Sequence, residues 1–105
     1  MDSIGGAKVL NRVVDKETWI EWGELEDGRC FIGLPMTNIK IEYTEYYEIS
    51  RELYELSRVS LVHAYGFIRD CSERQNDRYL LHMPSKNDRG HIEGFLMDLV
   101  NQKHE

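Results

Sequence analysis

Four glutamates, Glu45, Glu48, Glu52 and Glu55, recur at i, i+3, i+7 and i+10 within TEYYEISRELYELSR, the stretch from Thr44 to Arg58. On one helix this spacing lines up four carboxylates, neighbours about 5–6 Å apart, at a cost of a few tenths of a kcal/mol per close pair. The separation is comparable to that of phosphates along a nucleic-acid strand. An acidic ridge of this kind suits the basic groove of a nucleic-acid-binding protein. On the same helix Tyr46, Ile49, Leu53 and Leu56 would form the buried stripe, with Tyr47 and Tyr54 at its flank. Half-exposed tyrosines serve as interface anchors, because a rigid ring buries much area at little entropic cost. The plain alternative is a solvated helix face, with Arg51 pairing to Glu48 or Glu55 and the tyrosines covering the core's edge.

Other reactive side chains support catalysis less well. Ser60, His63 and Asp70 hold the residue types of a triad, but no Gly-x-Ser-x-Gly elbow accompanies them. His63 lies inside an apolar run, where a histidine with one hydrogen bond belongs to a core. Cys71 and His82 could act as nucleophile and base across paired strands, yet neither an oxyanion donor nor an acidic orienter is identifiable beside them. Gly5-Gly6 is not followed by the Gly-Lys-Ser/Thr of a phosphate loop. The histidines, His63, His82, His91 and His104, show no metal-ligand spacing with each other or with Cys30 and Cys71, so neither a metal nor another cofactor is expected. The loop SKNDRGH offers Lys86, Arg89 and His91 to an anion at a helix start, diluted by Asp88 and Glu93. In WIEW, Trp19 and Trp22 fall on opposite faces of one strand, which leaves one of them for the sheet's open face.

Charge bounds the partners. The chain has 105 residues and a net charge of −6. From Met1 to Ser57 there are six Lys/Arg against twelve Asp/Glu; from Arg58 onward the two signs balance. A field of that sign repels nucleic acid and membranes and attracts basic protein surfaces. At 41% hydrophobic and 30% charged, residues 1–105 read as one globular domain that needs no metal or disulfide to fold. No apolar run reaches the roughly 18 residues of a membrane span, and MDSIGGAKVL lacks the features of a signal peptide. A cytoplasmic protein with two free thiols, Cys30 and Cys71, is expected.

The elements that must position these groups follow from periodicity. AKVLNRVV, Ala7 to Val14, reads as a strand. Asp27-Gly28 reads as a type I′ turn between strands at Thr18 to Leu25 and Arg29 to Leu34, setting Glu26 opposite Arg29 and Leu25 opposite Cys30. Pro35 and Pro84 sit where strands should end. In NIKIEY, Ile39, Ile41 and Tyr43 alternate with Lys40 and Glu42, a half-buried strand. Thr44 then caps the acidic helix. SLVHAYGFIRD reads as a central strand, although Leu61, Ala64, Tyr65 and Ile68 also keep helical spacing. RYLLHM, Arg78 to Met83, reads as its partner. A last helix from Asp88 to Gln102 carries an apolar stripe of Ile92, Phe95, Leu96 and Leu99, with Gly94 allowing close packing on the sheet. The order β-β-β-β-α-β-β-α implies an α+β domain, a mainly antiparallel sheet with two amphipathic helices on one face.

Together these features suggest a small acidic interaction domain rather than an enzyme: an inhibitor or immunity-type protein that blocks a basic site on an enzyme or a nucleic-acid-binding machine. Glu45, Glu48, Glu52, Glu55, Tyr47 and Tyr54 are its expected contacts. Two other classes remain, a small enzyme or ligand-binding domain around His63, Cys71 and His82, and a homo-oligomer, such as a homodimer, joined through the open sheet face.

Overall fold

The computed structural model describes residues 2–82 and 89–102. The chain is α+β. Its first half is a meander of β1 (Ser3–Ile4), β2 (Ala7–Val14), β3 (Glu21–Leu25), β4 (Cys30–Thr37) and β5 (Glu42–Ile49). Then come α1 (Arg51–Val59), a 3₁₀ turn at Leu61–Ala64, α2 (Tyr65–Ser72) and a 3₁₀ turn at Asp77–Tyr79. A two-residue strand β6 (His91–Ile92) and α3 (Gly94–Val100) follow. The strands lie in the order β1-β2-β3-β4-β5, all antiparallel, and β6 joins β4 beyond the end of β3. One sheet face and the three helices enclose the main core, including Trp22, Ile32, Leu34, Tyr47, Ile68, Leu96 and Val100. On the opposite face the β1–β2 hairpin curls over Leu25 and Phe31, so Ile4 and Ala7 form a second, smaller core with them. That hairpin turns through Gly5 (φ 58°) and Gly6 (φ 83°), the left-handed pair a two-residue turn requires.

Around Asp27-Gly28 the hairpin forms with a different turn and register. Gly28 N–H donates to the Leu25 carbonyl (3.0 Å) and Leu25 N–H to the Arg29 carbonyl (2.8 Å), which leaves a three-residue loop. Only Gly28 is left-handed (φ 92°). Asp27 accepts the Arg29 N–H and also pairs with its guanidinium, a local bond that favours the longer loop. Cys30 therefore lies opposite Glu24, not Leu25. A one-residue shift turns a side chain to the other face. Leu25 accordingly sits in the small core and Cys30 in the large one.

The largest correction concerns Thr44 to Ile49, which is strand rather than helix. Tyr43, Glu45, Tyr47 and Ile49 share the face paired with Met36, Leu34, Ile32 and Cys30. This period-2 set outweighs the helical spacing of the glutamates. The helix begins after Ser50, whose Oγ accepts the Leu53 N–H (3.0 Å). Asn38–Ile41 is a loop, not a half-buried strand, because Asn38 Oδ1 accepts the N–H groups of Lys40 and Ile41 and closes a turn. Pro35 lies inside β4, at the gap where β3 has ended and β6 has not begun, so its missing N–H breaks no ladder with either.

Residues 59–69 take the helical alternative: Ala64, Ile68 and Cys71 recur at i, i+4 and i+7 and all are buried. Of the expected strand Arg78–Met83, the described part is a 3₁₀ turn and a single bridge, Leu80 to Tyr47. Met83, the loop from Pro84 to Asp88 with Lys86, and His104 lie outside the described residues. The last helix starts only at Gly94, which is exposed with open space around its Cα rather than packed on the sheet. Ile92 is a strand residue opposite Met36.

Candidate functional site

The strand-to-helix break at Ser50 divides the six expected contact residues. Glu48 stays exposed at the end of β5, and Glu52 and Glu55 stay exposed on α1, but Glu45 is buried. The row of four carboxylates does not form, and its phosphate-like spacing goes with it. Tyr47 and Tyr54 are buried as well, at 0% and 3% exposure. Tyr47 packs edge-on against Phe67, and Tyr54 lies under Arg51 and Arg58. Neither ring is half-exposed, as an interface anchor on the helix flank was expected to be. Arg51 pairs with Glu24 across the domain (2.7 Å), not with Glu48 or Glu55.

Glu45 is instead the centre of a polar latch. Its Oε2 accepts from Tyr43 Oη (2.7 Å) and Arg89 Nε (3.1 Å), and its Oε1 from Tyr47 Oη (2.8 Å) and Arg89 Nη2 (3.3 Å). A buried carboxylate is tolerated only when paired and hydrogen-bonded in this way. The other side of the Arg89 guanidinium grips Asp77 in a fork of 2.7 and 2.8 Å. That contact holds the Asp77 carboxyl below its ordinary range. Burial, with the neighbouring carboxylate, pushes the Tyr43 and Tyr47 hydroxyls up, so they remain donors at neutral pH. Gly90 N–H donates to Tyr43 Oη (2.8 Å), and Arg74 donates to the Gly90 carbonyl (2.6 Å). The latch ties β5, the Asp77 turn and the segment entering β6 together.

The residues of the enzyme alternative are not assembled. Cys71 is 1% exposed, and burial pushes its thiol up to about 12, away from nucleophilic thiolate chemistry. Its sulfur receives the Asn76 amide at 3.5 Å. His63 is exposed on the 3₁₀ turn after α1. His82 is exposed too and lines a separate 510 Å³ cleft with Ser3–Gly6 and Tyr43–Tyr46, of which Cys71 is not a wall. Among the described residues, no three His, Cys, Asp or Glu side chains gather as a metal site.

The cleft with the chemistry of recognition lies at the gap beside Pro35. It has a volume of about 640 Å³ and is lined by Trp19, Tyr43, Phe95, Glu21, Glu42 and Glu93 together with Pro35 and Met36 of β4 and Thr44 of β5. Trp22 takes the inward position of WIEW and donates from Nε1 to Ser57 Oγ (2.8 Å). Trp19 precedes the strand and is 56% exposed. Its backbone is left-handed (φ 62°), costing about 1 kcal/mol or more for a non-glycine residue. The loop enforces this conformation. Trp19 N–H donates to the Asp15 carbonyl, Asp15 N–H to that of Ile20, and Thr18 Oγ1 to the Asp15 carboxylate. Phe95, expected in the apolar stripe, is 46% exposed because α3 starts one residue before it and buries Leu96 and Val100 instead. Glu21 is already engaged by Arg12 (3.3 Å) and Tyr46 Oη (3.0 Å). Among the described residues, Glu42 and Glu93 have no ion pair and no lysine or arginine lines the cleft. The sequence leaves one of Trp19 and Trp22 exposed without deciding which, and it does not mark Phe95, Glu42 or Glu93 as neighbours of either. Nothing local marked them, since the cleft joins four separate stretches of the chain.

No protein family, curated protein or solved structure matches this chain.

Proposed function

We propose that this domain binds a basic segment of another protein in the cleft between Trp19 and Phe95, and that it acts as an inhibitor or immunity-type protein by occluding a basic site on that partner. The observation that carries the reading is the composition of the cleft: two half-exposed aromatic rings and three carboxylates, with no cation among the described residues that line it. A lysine or arginine entering it would find an aromatic face for its charge and a carboxylate for its hydrogen bonds. The acidic excess of the first half of the chain would draw such a partner in from a distance. Exposed Glu48, Glu52 and Glu55 contribute to that field without contacting the cleft. Among the described residues no helix is long and apolar enough to cross a membrane. A reducing, cytoplasmic setting suits the two buried free thiols.

The test is a titration of the protein with oligolysine and oligoarginine peptides, with an acidic peptide as control, read by Trp19 fluorescence and by calorimetry. Trp22 is buried, so quenching by a soluble quencher reports chiefly on Trp19. Basic peptides should protect Trp19 and bind more weakly as salt rises. Trp19→Ala should weaken binding by about 5- to 30-fold, the range of a partly to fully desolvated cation–π contact. Equal binding of basic and acidic peptides, or none at millimolar concentration, would refute the proposal.

A further inference from the structure

A second groove of about 590 Å³ runs between β2 and α1. Val13, Trp22, Val59 and Leu61 supply its apolar lining, and Asp15, Glu55 and Arg58 its charges. Val59, one of these lining residues, rises from the groove's α1 side 87% exposed, and Leu56 and Val62 are also open to solvent. A projecting apolar side chain and a groove of matching chemistry thus lie on one face of one molecule. That is what an isologous contact requires, since the same patch must be both donor and recipient.

Charge separates this groove from the cleft at Trp19. Two copies meeting at that cleft would crowd carboxylates of one sign. Here both signs are present. Arg58 lies 4.9 Å over the Tyr54 ring and has no carboxylate partner among the described residues. Glu55, one turn before it on α1, has none either. A two-fold axis crossing α1 between these residues sets Glu55 of each copy against Arg58 of the other, with the helices antiparallel.

We propose that the β2–α1 face is a two-fold interface between copies of this chain, each inserting Val59 into the other's groove and pairing Arg58 with the other's Glu55. The dimer presents the Trp19 cleft twice, so a partner with repeated basic segments gains avidity. The interface stands on different residues from the cleft, and either can fail alone.

Sedimentation equilibrium of the full chain from micromolar to millimolar concentration tests this. The wild type should shift from monomer to dimer mass. Val59→Glu places a charge on a side chain the monomer leaves in water, so circular dichroism should be unchanged while the dimer weakens by about tenfold or more. Arg58→Glu should also weaken it, and Arg58→Glu with Glu55→Arg should restore it, because the reciprocal swap preserves the pairing. A wild type that stays monomeric throughout, which would leave the groove to another occupant or to none, overturns the proposal. So does a Val59→Glu variant that dimerises as well as wild type, or a double swap no better than Arg58→Glu.

Discussion

Arg89→Met should be the most damaging single change to the polar latch, and the structure sets its size. The guanidinium has two unequal arms. The arm on Glu45 meets a carboxylate whose side chain is 1% exposed, while Asp77 is 35% exposed. Removing one member of a buried ion pair costs about 3–5 kcal/mol, because the other charge is left without compensation. Glu45 would keep the hydroxyls of Tyr43 and Tyr47, so the low end applies, about 3 kcal/mol. Asp77 is about one-third exposed and screened by water, so Asp77→Asn should cost only about 1 kcal/mol. At about 4–8 °C per kcal/mol for a domain near this size, Arg89→Met should melt at least about 12 °C below wild type. Urea unfolding followed by Trp22 emission gives the free energies directly. A second comparison isolates the cause: Glu45→Gln added to Arg89→Met removes the orphaned charge and should recover stability. The sign of the pH effect also follows. Arg89 depresses the Asp77 carboxyl below its ordinary 3.8, so its stabilisation is present above that value and is lost as pH falls through the folded value. The gap between wild type and Asp77→Asn should be constant above about pH 5 and close in stronger acid. An Arg89→Met variant within 1 kcal/mol of wild type, or one that Glu45→Gln destabilises further, would refute the latch as the element that holds β5 to the Asp77 turn.

Gly28→Val should lower stability by about 1–2 kcal/mol, since a β-branched residue resists the left-handed φ of 92° while the space around the position is open; urea unfolding checks it, and an unchanged midpoint would show the loop to be other than described. Cys30 and Cys71 should resist alkylation in the folded protein and both react once it is denatured without reductant, because burial raises both thiols and neither is bonded; intact mass after iodoacetamide distinguishes the states.

The meander was legible where one periodicity acted alone. AKVLNRVV and the runs flanking Asp27-Gly28 carry β-branched residues and turn chemistry with no competing pattern, and they form strands. The Thr44–Arg58 stretch carries two patterns at once. Its glutamates keep helical spacing, while Tyr43, Tyr47 and Ile49 alternate as in a strand with one buried face. Choosing between them depends on whether a carboxylate can face inward at position 45. The residue that permits it, Arg89, lies 44 positions away, beyond the reach of any local window. The hairpin register was lost for a smaller reason, a side-chain bond from Asp27 to the Arg29 backbone that selects a three-residue loop over a two-residue one.

The charge asymmetry outlasts the misplaced helix, and that bears on function. Moving Glu45 inside neutralises it against Arg89, and Arg51 is taken by Glu24. Glu42, Glu48, Glu52 and Glu55 remain exposed. The acidic field is therefore carried by fewer residues than the sequence suggested, and none of them forms a row. A field without a row steers a basic partner but cannot orient it, since exposed charges affect encounter more than the bound geometry. Orientation needs groups with shape, and in the proposed binding mode the half-exposed rings of Trp19 and Phe95 would supply it where Glu42 and Glu93 would supply the sign. The two roles are thus separable. Substituting Glu48 and Glu52 with Gln should slow association with basic peptides and leave dissociation nearly unchanged, whereas Trp19→Ala should speed dissociation.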